Sequence, residues 1–242
     1  MSQVSDTHGN VLLRLEKIKY LYPDYNPNET AVIILGDAGI NFYLNKSEYN
    51  KKKRVAAAGY RLYLVRGNHE ERPQNLGMGL EWDKNVQGMV YYESDFPNIR
   101  YLQDGGEYII NNHSTLVIGG AYSIDKWYRL NDRPEDTTEW TGWFKDEQLT
   151  LKEKISILKK TENKHYDLVL THTCPFSWEY LINDLFLGSI NQSKIDKSME
   201  HFLDDVIDSI TYDYYYFGHY HDDRNLPVVK ATMLFEDIKE LF

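Results

Sequence analysis

The run of residues 60–70 constrains the fold more than any other part of the sequence. It predicts a buried strand, with alternating and β-branched apolar residues, that stops at Gly67-Asn68-His69-Glu70. Three side chains that can each bind a metal or move a proton therefore follow a strand end directly. Because ligands of open α/β sheets bind beyond the carboxyl ends of the strands, this pattern predicts a site at such a sheet edge.

Four further segments repeat this arrangement of a strand followed by a metal-binding side chain. The strands and the residues that follow them are 2–4 with Asp6 and His8, 31–35 with Asp37, 166–170 with His172, and 214–217 with His219 and His221. Five of the eight histidines thus lie at strand ends, which random placement does not give. The donors are too many for one ion with an open position, so we expect two ions that share a bridging carboxylate.

Length and charge narrow the class of protein. The 242 residues, 42% of them hydrophobic, suffice for one sizeable core, and we interpret residues 1–242 as a single domain. A net charge of −10 argues against stable binding of long nucleic acid, which needs basic surfaces. A small anionic substrate fits, because bound divalent cations reverse the local charge. The only cysteine, Cys174, excludes an internal disulfide and a cysteine-based zinc cluster, and we interpret it as a buried apolar residue.

The sequence shows no apolar run that could span a bilayer and no signal-peptide pattern, so we expect a soluble, cytoplasmic protein without membrane association. The first strand would begin at residue 2, which is short for a sheet, and we interpret it as truncated at the N-terminus. The weak hydrophobic pattern of residues 72–105 predicts a loop with short strands. Helical spacing or composition predicts helices over residues 12–21, 45–59, 145–160, 178–187 and 193–210.

One further strand, residues 114–118, leads to a loop that carries Tyr122, Asp125, Lys126 and Arg129. This order would place the four residues at the same sheet edge as the other strand ends, where a cation could meet a phosphate. An ordinary surface loop with an aromatic anchor fits the same residues equally well.

Taken in order, Asp-x-His-Gly, Gly-Asp, Gly-Asn-His-Glu, His and Gly-His-x-His resemble the motifs of the calcineurin-like metallophosphoesterase superfamily and span residues 6–221. The resemblance implies an α/β fold, with a central two-sheet β-sandwich flanked by helices and a dinuclear site at one edge. It implies that His69 acts catalytically beside the leaving-group oxygen, although a fourth ligand or a loop histidine fits the position too. The implied metal ligands are Asp6, His8 and His221 for one ion, Asn68, His172 and His219 for the other, and Asp37 for both.

The same resemblance implies hydrolysis of a phosphate monoester or diester by in-line attack of a metal-bound hydroxide, without a covalent intermediate. Two divalent ions would serve as cofactors, with manganese favoured over iron, zinc and magnesium. The expected substrate is a small phosphate ester, a nucleotide or a nucleic-acid end.

Two alternatives stay open. Serine/threonine protein phosphatases share the motif around His69, but they have Gly-Asp-x-x-Asp-Arg-Gly where this chain has Ile40 and Asn41 in place of the second acid and the arginine. Candidates for a replacement phosphate clamp are Lys126, Arg129 and Arg224. A non-catalytic binding module on the same fold is the other alternative, against which the complete set of ligands speaks.

Overall fold

The computed structural model describes residues 2–5, 9–131, 142–186 and 192–241. Two β-sheets form the centre of this part of the chain. Their strands are β1 (Ser2–Ser5), β2 (Ala31–Leu35), β3 (Arg61–Val65), β4 (Gly79–Asp83), β5 (Gly88–Tyr92), β6 (Ile99–Leu102), β7 (Gly106–Ile110), β8 (His113–Ile118), β9 (His165–Thr171), β10 (Thr211–Phe217), β11 (Arg224–Leu226), β12 (Ala231–Met233) and β13 (Lys239–Leu241). The first sheet has the order β13-β1-β2-β3-β6-β5-β4, and the second has the order β11-β12-β10-β9-β8-β7.

Helices cover the outer faces of the two sheets. The α-helices are α1 (Val11–Leu21), α2 (Lys46–Ala57), α3 (Lys126–Asn131), α4 (Leu151–Thr161) and α5 (Ser198–Ser209), and 3-10 helices span Pro27–Glu29, Phe176–Phe186, Gln192–Lys194 and Pro227–Val229. Capping hydrogen bonds fix the first residues of two of the α-helices. The Asn45 side chain accepts a hydrogen bond from the Glu48 amide at the start of α2, and Thr150 forms a reciprocal capping box with Glu153 at the start of α4.

Three apolar layers hold these elements together, and β2 shows how the sequence builds two of them. Ile33 and Leu35 pack between the sheets, whereas Val32 and Ile34 pack against α1 and α2. Since both faces of the strand are covered, its sequence is continuously apolar and does not alternate with polar residues. A third layer, between the second sheet and α5, contains Phe202 and other residues of that helix.

Parallel pairing brings the strand ends to one side. In the first sheet β1, β2 and β3 run parallel, and in the second β8, β9 and β10 do so. The segments after Leu35, Val65, Ile118, Thr171 and Phe217 therefore all leave from carboxyl ends of parallel strands. This edge is where the sequence predicts the site.

The predicted α/β class with two sheets flanked by helices is confirmed, and residues 72–105 do form short strands, which extend the first sheet. That residues 1–242 form a single domain stays a prediction. Within the described ranges, none of the helices combines the length and apolar character that crossing a bilayer requires.

Three helix predictions need correction. The helix predicted over residues 145–160 begins only at Leu151, because the Thr150 capping box starts it there, and the side chains of Leu151 and Ile155 are exposed. The segment 178–187 forms a 3-10 helix, Phe176–Phe186, instead of an α-helix. In the segment 193–210 the α-helix starts at Ser198, after a separate short 3-10 turn.

Candidate metal centre

The turn after β2 presents Asp37 at the sheet edge. Gly36 has φ +97°, and a Cβ atom there would overlap the ring of His172, so only glycine permits this close approach. Asp37 itself has φ 49° and is buried. A non-glycine residue held in the left-handed region costs free energy, and such residues cluster at functional sites.

The turn after β3 is built against the same carboxylate. A Cβ atom at Gly67 would overlap both the backbone and the side chain of Asp37. The backbone amide of His69 donates a hydrogen bond to Asp37 Oδ1, with 3.0 Å between the atoms. Glu70 joins the two turns, because its carboxylate accepts hydrogen bonds from the amides of Gly67 at 2.8 Å and Ala38 at 2.6 Å. Burial, with the charge of Asp37 added, raises the pKa of Glu70 to about 8.

His172 lies at the end of β9 and is fully buried. Its Nδ1 is 2.6 Å from the carbonyl oxygen of Leu35. Since a carbonyl oxygen only accepts, Nδ1 carries a proton, and in the neutral ring Nε2 is therefore an acceptor. This Nε2 lies 2.9 Å from Asn68 Oδ1 and 3.6 Å from Asp37 Oδ2.

The orientation of the Asn68 amide is fixed from behind. Its Nδ2 donates to the hydroxyl of Ser123 at 2.9 Å, and that hydroxyl donates in turn to the Glu147 carboxylate. The Ser123 hydroxyl can therefore only accept from Asn68, which leaves Oδ1 of the amide facing His172. Burial raises the pKa of Glu147, and the hydrogen bonds from Ser123 oppose that shift.

The donor set fits a divalent cation. Asn68 Oδ1 and Asp37 Oδ2 lie 2.9 and 3.6 Å from His172 Nε2, which is an acceptor in the neutral ring. Converging acceptors repel one another unless a cation lies between them, and carboxylate, amide and imidazole donors suit manganese, iron or zinc. These are residues that would hold such an ion.

The loop after β10 brings two further imidazoles to this edge. The amide of Gly218 donates to the carbonyl oxygen of His172 at 3.0 Å, and the rings of His172 and His219 lie 5.0 Å apart, centroid to centroid. His219 and His221 have φ 71° and 56°, so both share the left-handed conformation of Asp37. Burial holds the pKa of His219 well below its ordinary value, which favours the neutral imidazole that metals bind.

The pKa values of Asp37 and of the histidines near it indicate how charge is distributed at this edge. Burial alone would raise its pKa, but the charge and hydrogen bond of His172 outweigh burial and hold the pKa below its ordinary value. Burial lowers the pKa of His69, and Asp37 opposes that shift. The structure thus favours an anionic Asp37 carboxylate and neutral imidazoles at His69 and His219.

A cavity of about 350 Å³ opens over this edge. The predicted site residues that line it are Asp37, Asn68, His69, His219, His221, Tyr122 and Arg129. The Arg129 guanidinium pairs with Asp125 at 2.7 Å, and Asp125 lines the cavity as well.

Lys126 and Arg224 are placed differently, since neither belongs to the lining of this cavity. Lys126 Nζ lies 4.4 Å from the centre of the Trp143 ring. The guanidinium of Arg224 donates to Asp184 at 2.6 and 3.0 Å and to Asp222 at 2.7 Å. Both side chains are therefore engaged elsewhere, and their role as a phosphate clamp stays a prediction.

Two predicted ligands, Asp6 and His8, lie outside the described residues. Their neighbour Gly9 is described, and its amide donates to the carbonyl oxygen of Asp37 at 2.6 Å. The ligand roles of Asp6 and His8, like those of the other predicted ligands, stay predictions.

Sequence reasoning missed Ser123 and Glu147, because the hydrogen bonds that they make connect segments far apart in the chain and leave no local pattern. Arg66, which precedes Gly67, braces the same region. The Arg66 guanidinium donates to the Glu147 carbonyl oxygen at 2.7 Å and pairs with Asp104 at 3.0 Å. Cys174 is buried as expected, and burial raises the pKa of its thiol.

A second cluster of possible ligands lies at the opposite ends of the strands. Among the described residues, His165, Asp167 and Asp213 alone form a group of three His, Cys, Asp or Glu side chains with ligand atoms all within 4.8 Å of one another. His165 Nε2 is 3.6 Å from Asp213 and 4.0 Å from Asp167. These side chains are exposed or half-buried at the starts of β9 and β10, away from the cavity, so they form a group separate from the residues around Asp37.

Comparison with known proteins adds an independent observation. The sequence profile described as calcineurin-like phosphoesterase matches residues 3–223, which is most of the chain. Comparison with curated proteins returns no match. Since the match covers every turn that carries a predicted ligand, the chain belongs to the calcineurin-like phosphoesterase family, whose members hydrolyse phosphoesters with the help of metal ions.

Proposed function

We propose that this chain is a dinuclear metal-dependent phosphoesterase that hydrolyses a phosphate monoester or diester. The observation that carries the proposal is the convergence of Asp37 Oδ2, Asn68 Oδ1 and His172 Nε2, in a chain of this family, with Asp37 and Asn68 also lining the cavity. The proposed substrate is a small phosphate ester, a nucleotide or a nucleic-acid end.

The proposed ligand set divides between two ions, with manganese as the favoured metal. The residues are Asp6, His8 and His221 for one ion, Asn68, His172 and His219 for the other, and Asp37 for both. When bound, two such cations lower the pKa of a water molecule and neutralise phosphate charge, so that attack in line with the leaving group becomes favourable. The buried carboxylate of Asp37 is held in place for this purpose by the amide of His69.

His69 and Arg129 would act on the substrate directly. Both line the cavity, and the His69 backbone is fixed by its bond to Asp37. The imidazole of His69 would donate a hydrogen bond or a proton to the leaving-group oxygen. The cationic guanidinium of Arg129, at the same cavity, would bind a phosphate oxygen.

A substrate screen tests the proposal. Manganese-loaded protein is assayed on an aryl monoester, an aryl diester, nucleotides, short oligonucleotides and a phosphopeptide, with the Asp37→Asn and Asn68→Ala variants beside it. We expect manganese-dependent turnover that falls by at least about 100-fold in both variants. The exposed residues Asp95 and Asn75 supply matched controls, Asp95→Asn and Asn75→Ala, which should retain activity.

Absence of turnover on every ester, with two metal ions bound per chain, would contradict the proposal. Turnover of the phosphopeptide alone would point to the protein-phosphatase alternative instead. A cytoplasmic location, and the absence of stable binding to membranes or long nucleic acid, are further parts of the proposal, which cell fractionation and binding assays would check.

A further inference from the structure

The cavity has a second, apolar part beyond the predicted metal ligands. Its walls include the side chains of Leu185, Phe186, Ile195 and Tyr220. The rings of Phe186 and Tyr220 pack edge to face, with centroids 5.8 Å apart. Pockets that bind small organic molecules are lined in this way, and a volume of about 350 Å³ lies within their usual range.

Glu200 is the one carboxylate in this apolar part that lacks a full set of partners among the described residues. The side chain lines the cavity and is only 3% exposed. Its Oε1 accepts a hydrogen bond from the Thr173 hydroxyl at 2.9 Å, whereas its buried Oε2 has no hydrogen-bond partner in the described part of the chain. Buried polar atoms are nearly always bonded, so an unmatched acceptor beside a cavity points to a ligand that supplies the donor.

The surroundings hold Glu200 in this orientation. The Thr173 hydroxyl that bonds Oε1 also contacts the Tyr220 hydroxyl at 2.9 Å, so one carboxylate oxygen is fixed in a small network. Glu200 lies on α5, which packs against the apolar layer of the second sheet. The carboxylate is therefore a rigid acceptor, and Oε2 is the atom that remains for a ligand.

The groups around Glu200 suit an aromatic donor. Lys197 also lines the cavity, where its ammonium group pairs with Glu179 at 2.6 Å and lies 5.2 Å from the Phe186 ring. Because Glu179 neutralises this ammonium group, the aromatic walls decide the kind of ligand, and the charge does not. A flat, uncharged heterocycle with an amino group satisfies the rings and the carboxylate together.

We propose that this part of the cavity binds the base of a nucleotide substrate, with Glu200 Oε2 accepting a hydrogen bond from an exocyclic amino group of the base. The inference rests on the proposed function, because the phosphate of the same molecule would lie at the Asp37 end. It narrows the substrate class to nucleotides whose base carries an amino group.

Adenosine and inosine phosphates test this directly, since adenine has an amino group where hypoxanthine has an oxo group. We would measure kcat/KM for the two 5′-monophosphates and for the two 3′,5′-cyclic diesters, each divided by the value for an aryl phosphate, so that a general loss of activity cancels. The native protein should prefer adenine by about 10-fold or more, the size expected for one buried hydrogen bond. In Glu200→Gln the preference should vanish or reverse, because an amide can donate to the oxo group.

Glu107→Gln is the matched control, because Glu107 pairs with Lys164 at a sheet edge and does not line the cavity. It should keep the adenine preference of the native protein. Calorimetry with the two monophosphates gives a second measurement that does not depend on turnover, and the dissociation constants should differ in the same direction. Should Glu200→Gln fail to fold, Phe186→Leu replaces it, and both nucleotides should then lose kcat/KM relative to the aryl phosphate.

The outcomes separate the two proposals. Turnover of aryl esters with equal use of both bases, or with an unchanged ratio in Glu200→Gln, would overturn the base-binding inference and leave the proposed function intact. A preference for a phosphorylated primary amine over both nucleotides would overturn it as well. Failure to hydrolyse any ester would overturn both.

Discussion

The Asn68 side-chain amide donates a hydrogen bond to the Ser123 hydroxyl, with 2.9 Å between Nδ2 and Oγ, and this bond decides which way the amide faces. Removing the hydroxyl frees the amide to rotate, so Ser123→Ala should lower manganese affinity by about 10- to 100-fold, the effect usual for residues behind a metal ligand. Titration calorimetry would measure the manganese affinity of the variant and of the native protein. Activity at saturating manganese should recover substantially.

Ser94→Ala serves as control, since Ser94 is exposed and lies away from the cavity. An unchanged manganese affinity in Ser123→Ala would show that Asn68 is not a ligand or is not held by this bond.

His69→Gln should lower kcat by about 10²- to 10⁴-fold, the contribution typical of a positioned acid–base group, with two metal ions still bound per chain. His69 lines the cavity and its backbone amide already bonds to Asp37, so the variant keeps that anchor. Steady-state kinetics would give kcat, and elemental analysis would give the number of metal ions per chain, for the variant and for the native protein. His201→Gln, at an exposed histidine, is the control. Loss of a metal ion in His69→Gln would instead identify His69 as a ligand.

Gly67→Ala should abolish metal binding or folding, because the added Cβ atom would overlap the backbone and the carboxylate of Asp37. Gly77→Ala offers a matched comparison. Gly77 has φ +66°, and an added Cβ atom would meet nothing within 4 Å. Gly77→Ala should therefore cost only about 1 kcal/mol of stability, from backbone strain. Chemical denaturation of both variants would measure the difference. Equal stability losses would contradict the close packing of the two turns.

Glu153→Gln should reduce the free energy of unfolding by about 1 kcal/mol at pH 7, because it weakens the capping box of α4 and the ion pair with Arg72. Burial alone would raise the pKa of Glu153, but hydrogen bonds from Thr150 and Arg72 outweigh burial and hold the pKa below its ordinary value. The ionised carboxylate therefore stabilises the folded state above the ordinary pKa of glutamate, and this contribution is lost as the pH falls through the folded pKa.

The difference in unfolding free energy between the native protein and Glu153→Gln should shrink below about pH 4.5. Urea denaturation across that range would show it, with Glu162→Gln, at an exposed glutamate, as control. A difference that stays constant down to pH 3 would contradict the assignment to the carboxylate.

Much of the fold followed from periodicity. The strand β2 was predicted with its observed bounds, because a strand covered on both faces is continuously apolar and ends at a glycine. The edge that carries the candidate site also followed, because parallel strands place their carboxyl ends together. His172 and Asn68 were predicted from separate motifs, and the structure brings their side chains within 2.9 Å.

Some features were missed because they depend on tertiary contacts, and one was missed although a local sequence signal was present. Ser123 looks like any loop serine until Glu147 and Asn68 are placed around it. Arg224 was chosen as a candidate clamp for its charge, whereas its partner Asp184 lies 40 residues away in the sequence. The start of α4 was predictable, because Thr150 and Glu153 form the Thr-x-x-Glu pattern of a capping box.

The two sheets contribute separately to the candidate centre, since Asp37 and Asn68 follow strands of the first sheet and His172 and His219 follow strands of the second. The distance between the two halves is therefore set by the apolar layer between the sheets, which includes Tyr63. Divalent metal ions differ in the ligand distances and the coordination geometry that they require. Changes in ion selectivity should thus arise from substitutions in this interior layer, at positions that never touch the ion.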